Sequence, residues 1–353
     1  VVIGLTGIVT KRSKLGPGGM PGRAACRTHL VNKARLAYLS ITMTGAVAKI
    51  PLMNTPLSPS PSGDWRIDRQ RAVALFGPAA NDWPIEIVEE TGSTNADLMA
   101  RVKALPREPG ALARPIVRVA YLQTAGRGRR GRPWYAEPGN ALLFSVACVL
   151  PRPLEGLAGL SLAVGVALVD GLRSLPVSGP GQIALKWPND VLLEGDKLAG
   201  ILIETAWSTP DASAVVIGIG TNVKGAEELA AKVGALNAGV PAQARGAAPT
   251  ALSRALPNAN LTDTLAAELN SLEPALQRFG VEGFAPFRQR WNGCHAYAGR
   301  DVVLFEQGVE VARGVASGVD DLGQLLLDTP SGQQAIATGD VSLRLADDES
   351  GAA

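Results

Sequence analysis

The run "LAGLSLAVGVALV", from Leu157 to Val169, carries no charge and is closed by Asp170 and Arg173. It falls short of the ~20 apolar residues that a bilayer-spanning helix needs. A helix that is apolar on every side has to be covered by the rest of its chain. The run therefore reads as a buried core helix, from about Glu155 to Leu175. With 353 residues and 46% apolar content, the chain can build that core and has room for two domains.

The flanking segments supply a sheet. "IEIVEE", Ile85 to Glu90, alternates apolar and acidic residues as a half-buried strand does, and "IVRVAYLQT", "NALLFSVACVL", "QIALKW", "VLLEG" and "AVVIGIGTNV" read as further strands. "KLAGILIETA" reads as a buried strand led by Lys197. A helix is expected to open at Ser93-Thr94-Asn95, with Leu98, Val102 and Leu105 on one face. "TDTLAAELNSLEPALQRFG" is an amphipathic helix with Leu265, Leu269, Leu272 and Leu276 at helical spacing. The Gly/Ala/Pro-rich stretch near 234–250 reads as a surface loop. Beyond Arg290-Trp291 a series of short strands joined by Gly- and Asp-containing turns predicts a small β-barrel of about 50 residues. The expected fold class is α+β: a mixed β-sheet with packed helices over residues 64–294, a small barrel over 295–346 and a tail over 347–353. "AVVIGIGTNV" is also a candidate edge through which two copies could pair strands.

Charge is unevenly placed. The net charge is +2, yet residues 1–52 hold eight basic residues and no acid, leaving 26 basic against 32 acidic residues, about −6, in the remainder. An acidic body argues against a general nucleic-acid binder. The basic opening contains "KARLAYLSITMTGAVAKI", which resembles a signal peptide but starts more than thirty residues into the chain, and an organelle transit sequence fits it equally. The preferred reading is an upstream extension with the working protein beginning at Met53; together with the Pro/Ser leader "PLSPSPSG", residues 1–63 are expected to be disordered. Cys26, Cys148 and Cys294 lie far apart, and His29 and His295 are the two histidines. This excludes a disulfide framework and a His/Cys zinc cluster of usual spacing, and it fits a reducing cytoplasm.

"GRGRRGRPW", Gly126 to Trp134, concentrates Arg127, Arg129, Arg130 and Arg132 in a segment free of acid from Pro109 to Ala136. Such a segment repels itself unless an anion is present. Gly126, Gly128 and Gly131 allow backbone N–H groups to approach a ligand as an anion nest, and arginine adds forked donors that fit phosphate or carboxylate. The implied ligand is small and polyanionic, with Trp134 as a face on which an adenine could stack. A solvated basic loop or an unstructured RNA-binding segment would carry the same residues.

Downstream, "KWPND" places Lys186, Asn189 and Asp190 at a strand end, where Pro188 stops pairing. Lys197, leading an apolar strand, is costly there unless its ammonium meets an anion. A simple surface hairpin remains an alternative for any one of these residues. "STN" has a reading of its own, in which Thr94 and Asp97 cap a helix without any ligand.

Taken in order and at these separations, "GSTN", "QTAGRGRRGRPW", "KWPND", "KLAGILIE" and "GIGTNV" resemble the biotin protein ligases, over about Glu86 to Leu345. The resemblance implies a biotin/lipoate ligase-like catalytic domain followed by an SH3-like barrel. It implies ATP-dependent attachment of biotin to one lysine of a biotin carboxyl-carrier protein, that of acetyl-CoA carboxylase or a related carboxylase, by way of biotinyl-5′-AMP. Pyrophosphate leaves first and AMP second.

Carried over by residue, it makes Lys197, Arg129 and Arg127 the catalytic set. Biotin contacts would come from Ser93, Thr94, Asn95, Gln123, Gly126, Arg127, Gly128, Arg129, Lys197, Gly200 and Gly218. Arg130, Trp134, Lys186, Asn189 and Asn222 would hold ATP, and Asp190 the magnesium that accompanies it. The stretch between Met53 and Glu86 is too short for the winged helix-turn-helix of many bacterial relatives, so a monofunctional ligase without DNA or membrane binding is expected. Lipoate ligases and octanoyltransferases share this catalytic fold and are the nearest rival; a non-enzymatic nucleic-acid-binding protein is the other.

Overall fold

A computed structural model describes residues 65–77, 82–179, 182–236, 238, 246–306, 308–337 and 341–346. The expectations for residues 1–63 and for the tail 347–353 lie outside the described residues.

A seven-stranded mixed sheet forms the centre, with strand order β1-β2-β3-β7-β6-β5-β4. These strands are β1 (Ile85–Thr91), β2 (Ile116–Gln123), β3 (Ala141–Leu150), β4 (Ile183–Lys186), β5 (Asp190–Leu193), β6 (Asp196–Ser208) and β7 (Ser213–Asn222). Only β1 and β2 run parallel; the remaining pairs are antiparallel. Among the described residues six α-helices accompany the strands: α1 (Arg69–Leu75), α2 (Thr94–Lys103), α3 (Leu160–Ser174), α4 (Ala226–Leu236), α5 (Leu261–Glu282) and α6 (Ala285–Asn292). A second, antiparallel sheet of order β11-β10-β9-β8-β12 follows, built from β8 (Asp301–Glu306), β9 (Val309–Val319), β10 (Leu325–Thr329), β11 (Gly332–Ile336) and β12 (Val341–Leu345).

The apolar run lies at the heart of this arrangement. Eleven of the fifteen residues of α3 are buried, because the helix packs on β4, β5 and β6 and is covered by α5 and α6. Counting the preceding turn, Leu154–Ser174 is long and apolar enough to cross a membrane, which the uninterrupted run alone is not. Here that surface is spent on the protein's own core. The helix begins at Leu160 rather than near Glu155, since Gly159 adopts φ 77°, a conformation that ends the preceding turn and suits glycine.

Alternation on β7 divides the molecule. Val215, Ile217 and Ile219 join the large core beneath α3 and α5, while Ala214 and Val216 belong to a smaller core under α2 with Leu98, Val102 and Trp207. A strand buried on both faces reads as the continuous apolar run seen here. It is flanked by β3 and β6 along its length, so it is an interior strand and not a dimerisation edge. The large core runs on into the second sheet through Val302, Leu304, Val319, Leu325 and Leu343. Residues 294–296 also clamp the free edge of β4: Leu185 N–H donates to Cys294 O at 2.7 Å and Ala296 N–H to Leu185 O at 2.8 Å.

Three helices, α1, α4 and α6, escaped the sequence reading. The short α1 is capped by Asp68, whose carboxylate accepts from Arg71 N–H. The helix α4 precedes the stretch near 234–250 that reads as a loop and reaches only into its first residues, ending at Leu236. Within α5, Glu268 is fully buried, and its Oε1 accepts the Thr221 hydroxyl at 2.7 Å. Burial pushes this carboxyl up to about 8 against the opposing effect of that hydrogen bond.

Glu268 is thus neutral in the fold at pH 7 but ionised when unfolded, so folding takes up a proton between about 4.5 and about 8. Stability from this group is complete below that interval and is lost as pH rises through it. Glu268→Gln, which does not titrate, should gain melting temperature over the parent progressively from pH 5 to pH 8.5, by about 2–4 °C or more. A constant difference across that range would reject the assignment.

Candidate active site

The cavity face of β7 carries Gly218, Gly220 and Asn222, in register with Ala214 and Val216 further back under α2. Dropping the side chains at 218 and 220 opens a floor beside the N-terminus of α2. Above it lies a cavity of about 530 Å³, walled by the Gly/Arg loop, the β4–β5 turn, the start of β6, part of α4 and β12. Ser93, Thr94, Asn95, Gln123, Arg127, Gly128, Arg129, Arg130, Trp134, Lys186, Asn189, Asp190, Lys197, Gly200, Gly218 and Asn222 all line it. Of the residues singled out from sequence, Gly126 is not among the lining. It is buried at the loop base, where its carbonyl accepts from Trp134 N–H at 2.9 Å and a Cβ would press within 2.9 Å of Trp134 O.

The loop itself is a narrow hairpin, closed by a bridge between Arg127 and Pro133 and by Gly128 N–H donating to Arg132 O at 2.7 Å. Its tip is a single 3-10 turn, Arg129–Gly131, in which Arg130 takes φ 60°. Two arginines reach out of it: Arg129 Nη1 donates to Asn189 Oδ1 at 3.4 Å and Arg130 Nη1 to Ser342 Oγ at 2.9 Å. Trp134 lies over the floor, where a Cβ at Gly220 would come within 2.7 Å of its ring and one at Gly200 within 3.0 Å.

At the other end of the cavity, cations gather around one acid. Lys197 Nζ is 2.6 Å from Asp190 Oδ1 and 5.4 Å from the Trp134 ring centroid. The anion that Lys197 requires is thereby supplied by the protein itself. Burial disfavours ionisation of Asp190, but the ammonium groups of Lys197 and Lys186 and the Arg344 guanidinium outweigh it and hold the carboxyl below its ordinary value. Lys186 is buried, with its Nζ 5.7 Å from the Tyr297 ring centroid.

Arg344 was missed from sequence because it sits on β12, far along the chain. Burial and the neighbouring Arg132 lower its pKa, and its Nε and Nη2 are buried without hydrogen-bond partners among the described residues. Asn222 donates to Thr250 O at 3.0 Å, while its Oδ1 is buried and unpartnered. No group of three metal-ligating side chains occurs among the described residues. With one carboxylate, already paired to an ammonium, these residues do not fit a magnesium site held by protein alone; such an ion would enter on a nucleotide's phosphates, as part of the substrate.

At the α2 end the groups are neutral. The cap of α2 is Ser93, whose hydroxyl accepts from Ala96 N–H, not Thr94 as the capping reading had it. Asp97 instead accepts from the Thr91 hydroxyl at 2.8 Å and pairs with Arg118 at 3.0 Å. Thr94 N–H donates to Gln123 Oε1 at 2.8 Å, which leaves the Thr94 hydroxyl beside the cavity. The Asn95 amide lies directly on Gly218, where any Cβ would collide with its oxygen.

Residues 108–222 match the biotin/lipoate A/B protein ligase family, and residues 302–344 match the biotin protein ligase C terminal domain. The biotin–[acetyl-CoA-carboxylase] ligase of Paracoccus denitrificans is 35% identical over 260 residues, covering 72% of this chain and 98% of that protein. The enzyme of the same name from Mycobacterium tuberculosis is 35% identical over 270 residues, covering 76% and 91%. The bifunctional ligase/repressor BirA of Escherichia coli is 32% identical over 265 residues, covering 74% of this chain and 75% of that protein. Among solved structures, the biotin protein ligase from Aquifex aeolicus in complex with biotin and ATP aligns with a TM-score of 0.58 at 26% identity, covering 74% of this chain and 99% of that one.

The Asn95 seat is directly testable. Gly218→Ala should displace the amide and lower unfolding free energy by about 1–3 kcal/mol in urea titration. Gly92→Ala, where a Cβ meets nothing within 4 Å, should stay within about 0.5 kcal/mol of the parent. Equal effects at the two positions would contradict the packing described.

Proposed function

Since the chain belongs to the biotin protein ligases, we propose that it attaches biotin, at the expense of ATP, to one lysine of a biotin carboxyl-carrier domain such as that of acetyl-CoA carboxylase. The observation that carries this reading is the division of a single cavity into two chemically distinct ends. A neutral end with donors and acceptors on Thr94 and Gln123 suits a ureido ring, and a cationic end around Lys197, Lys186 and Arg344 suits phosphates.

The chemistry proceeds in two displacements. A biotin carboxylate oxygen attacks the α-phosphorus of ATP, the bond to the β-phosphate oxygen breaks, and pyrophosphate departs with the charge. The neutral amine of the carrier lysine then attacks the acyl carbon of biotinyl-5′-AMP, the acyl carbon–oxygen bond breaks, AMP leaves with the electron pair, and the nitrogen gives up a proton to solvent as the amide forms. Both steps build negative charge on oxygens, so fixed cations at those oxygens lower the barriers. The mixed anhydride between them must be shielded from water.

In this reading Lys197 faces the carboxylate and α-phosphate, having exchanged its tie to Asp190 for the substrate oxygens. Arg127, Gly128 and Arg129 close over the acyl chain and the adenylate. Ser93, Thr94, Asn95 and Gln123 frame the ring end, with Gly200 and Gly218 keeping the floor open and Gly126 holding the loop to its base. Arg130, Trp134, Lys186, Asn189 and Asn222 accompany the nucleotide, joined by Arg344. Asp190 serves as the resting partner of Lys197, and magnesium arrives with ATP. The free, buried Cys148 and Cys294 support a reducing cytoplasm as the place of action.

ATP–pyrophosphate exchange run in parallel with biotin, lipoate and octanoate tests the reading. Exchange with biotin alone is expected; exchange with lipoate would move the chain's activity to the sister reaction, and none with any acid would overturn the proposal. Lys197→Ala should lower biotin-dependent exchange by about 10²–10³-fold, the scale of one lost transition-state donor, with the circular dichroism spectrum unchanged. Near-normal exchange in that variant would remove Lys197 from the catalytic role.

A further inference from the structure

The neutral end of the cavity is backed by a polar chain that has a direction. Ser145, Gly218 and Leu202 face one another across β3, β7 and β6, and Asn95 lies on the glycine between the outer two. Its Nδ2 is 2.8 Å from Glu204 Oε2 and 3.3 Å from Leu202 O. Both of those oxygens can only accept, so the amide nitrogen must face them and the amide oxygen must face Ser145. Ser145 Oγ therefore gives its single hydrogen to Asn95 Oδ1, at 2.6 Å.

Thr94 Oγ1 is 2.7 Å from Ser145 Oγ. With the serine hydrogen already committed, that contact requires the threonine hydrogen. The same hydrogen also faces Gln123 Oε1 at 3.2 Å, and that oxygen is held in place by Thr94 N–H at 2.8 Å. What these bonds leave unspent, on two residues that line the cavity, is a lone pair on Thr94 and the Nε2 donor of Gln123. Ser145 is wholly buried, and neither it nor Glu204 lines the cavity.

We propose that Glu204 and Ser145 are positioning residues that decide the hydrogen-bonding polarity offered to the head group of the acyl substrate. This inference rests on the biotin reading above. Glu204 turns the Asn95 amide, the amide turns Ser145, and Ser145 takes the hydrogen of Thr94. The cavity then presents an acceptor beside a donor, the complement of an N–H adjacent to a C=O in a cyclic urea. A ring oxygen in place of that N–H would meet the Thr94 lone pair without a hydrogen between them, as an unpaired buried polar contact.

The test compares biotin with its two cyclic carbamate analogues, in each of which one ureido N–H is replaced by oxygen. Dissociation constants are measured by calorimetry on the full chain. The parent protein should favour biotin over the poorer carbamate by about 100-fold or more, as a site built around a hydrogen-bonding group does. Ser145→Ala removes the nearer acceptor and leaves the Thr94 hydrogen only Gln123 Oε1 at 3.2 Å, from which it can turn to the ring oxygen, and that ratio should fall by about tenfold. Glu204→Ala frees the Asn95 amide to rotate and should reduce the ratio similarly.

Glu204→Gln keeps an acceptor oxygen for the amide and should retain most of the parent ratio. An unchanged ratio in both alanine variants, with melting curves showing them folded, would overturn the proposal. So would equal losses in Glu204→Gln and Glu204→Ala, since charge rather than hydrogen-bond direction would then be responsible. A parent protein that binds no biotin would overturn the functional reading itself, an outcome distinct from a parent that binds biotin while its variants keep their selectivity.

Discussion

Burial of β7 on both faces is the constraint from which the rest of the architecture follows. One face presents Val215, Ile217 and Ile219 to the core under α3 and α5, and the other presents Ala214 and Val216 to α2. A strand in this position cannot also line an open site unless part of one face gives up its side chains. Gly218 and Gly220 do this, and Asn95 and Trp134 rest on the space they leave. The site is accordingly a local interruption of a packed layer, and its walls inherit the rigidity of the sheet beneath them.

Electrostatics divides that site. Lys186, Lys197 and Arg344 converge from β4, β6 and β12 on the one carboxylate of Asp190. A single acid among several cations leaves a surplus of positive charge in a partly desolvated space, where an incoming polyanion is attracted more strongly than it would be in water. The arginine-rich loop adds to the same surplus while being tethered to Asn189 and Ser342. Contributions from β12 and Ser342 make the small C-terminal sheet a wall of the cavity, and a shared apolar core holds it there.

The opposite end relies on hydrogen-bond direction in place of net charge. Its groups are buried polar side chains whose value lies in complete satisfaction, since a half-satisfied buried network is costly. Asn95, itself on the cavity wall, spends its amide on Glu204, Leu202 and Ser145.

Much of this was legible before folding. Alternation and apolar runs located the strands and the core helix, because burial imposes a period that sequence retains. The acid-free arginine loop, the Lys-Trp-Pro-Asn-Asp turn and the lysine-led strand announced a concentration of cations, and the structure brings them to one cavity. The sequence by itself thus determined which residues had to be inside and where positive charge had to gather. Tertiary structure alone decided that Arg344 joins these cations from nearly 150 residues away, that Gly126 is buried at the base of its loop and outside the cavity lining, that Ser93 and not Thr94 caps α2, and that α4 fills the segment just before the stretch read as loop. These outcomes depend on which strands become neighbours and on where single hydrogens point. No local pattern encodes them, since hydrogen bonds and cation clusters are satisfied across the fold rather than along the chain.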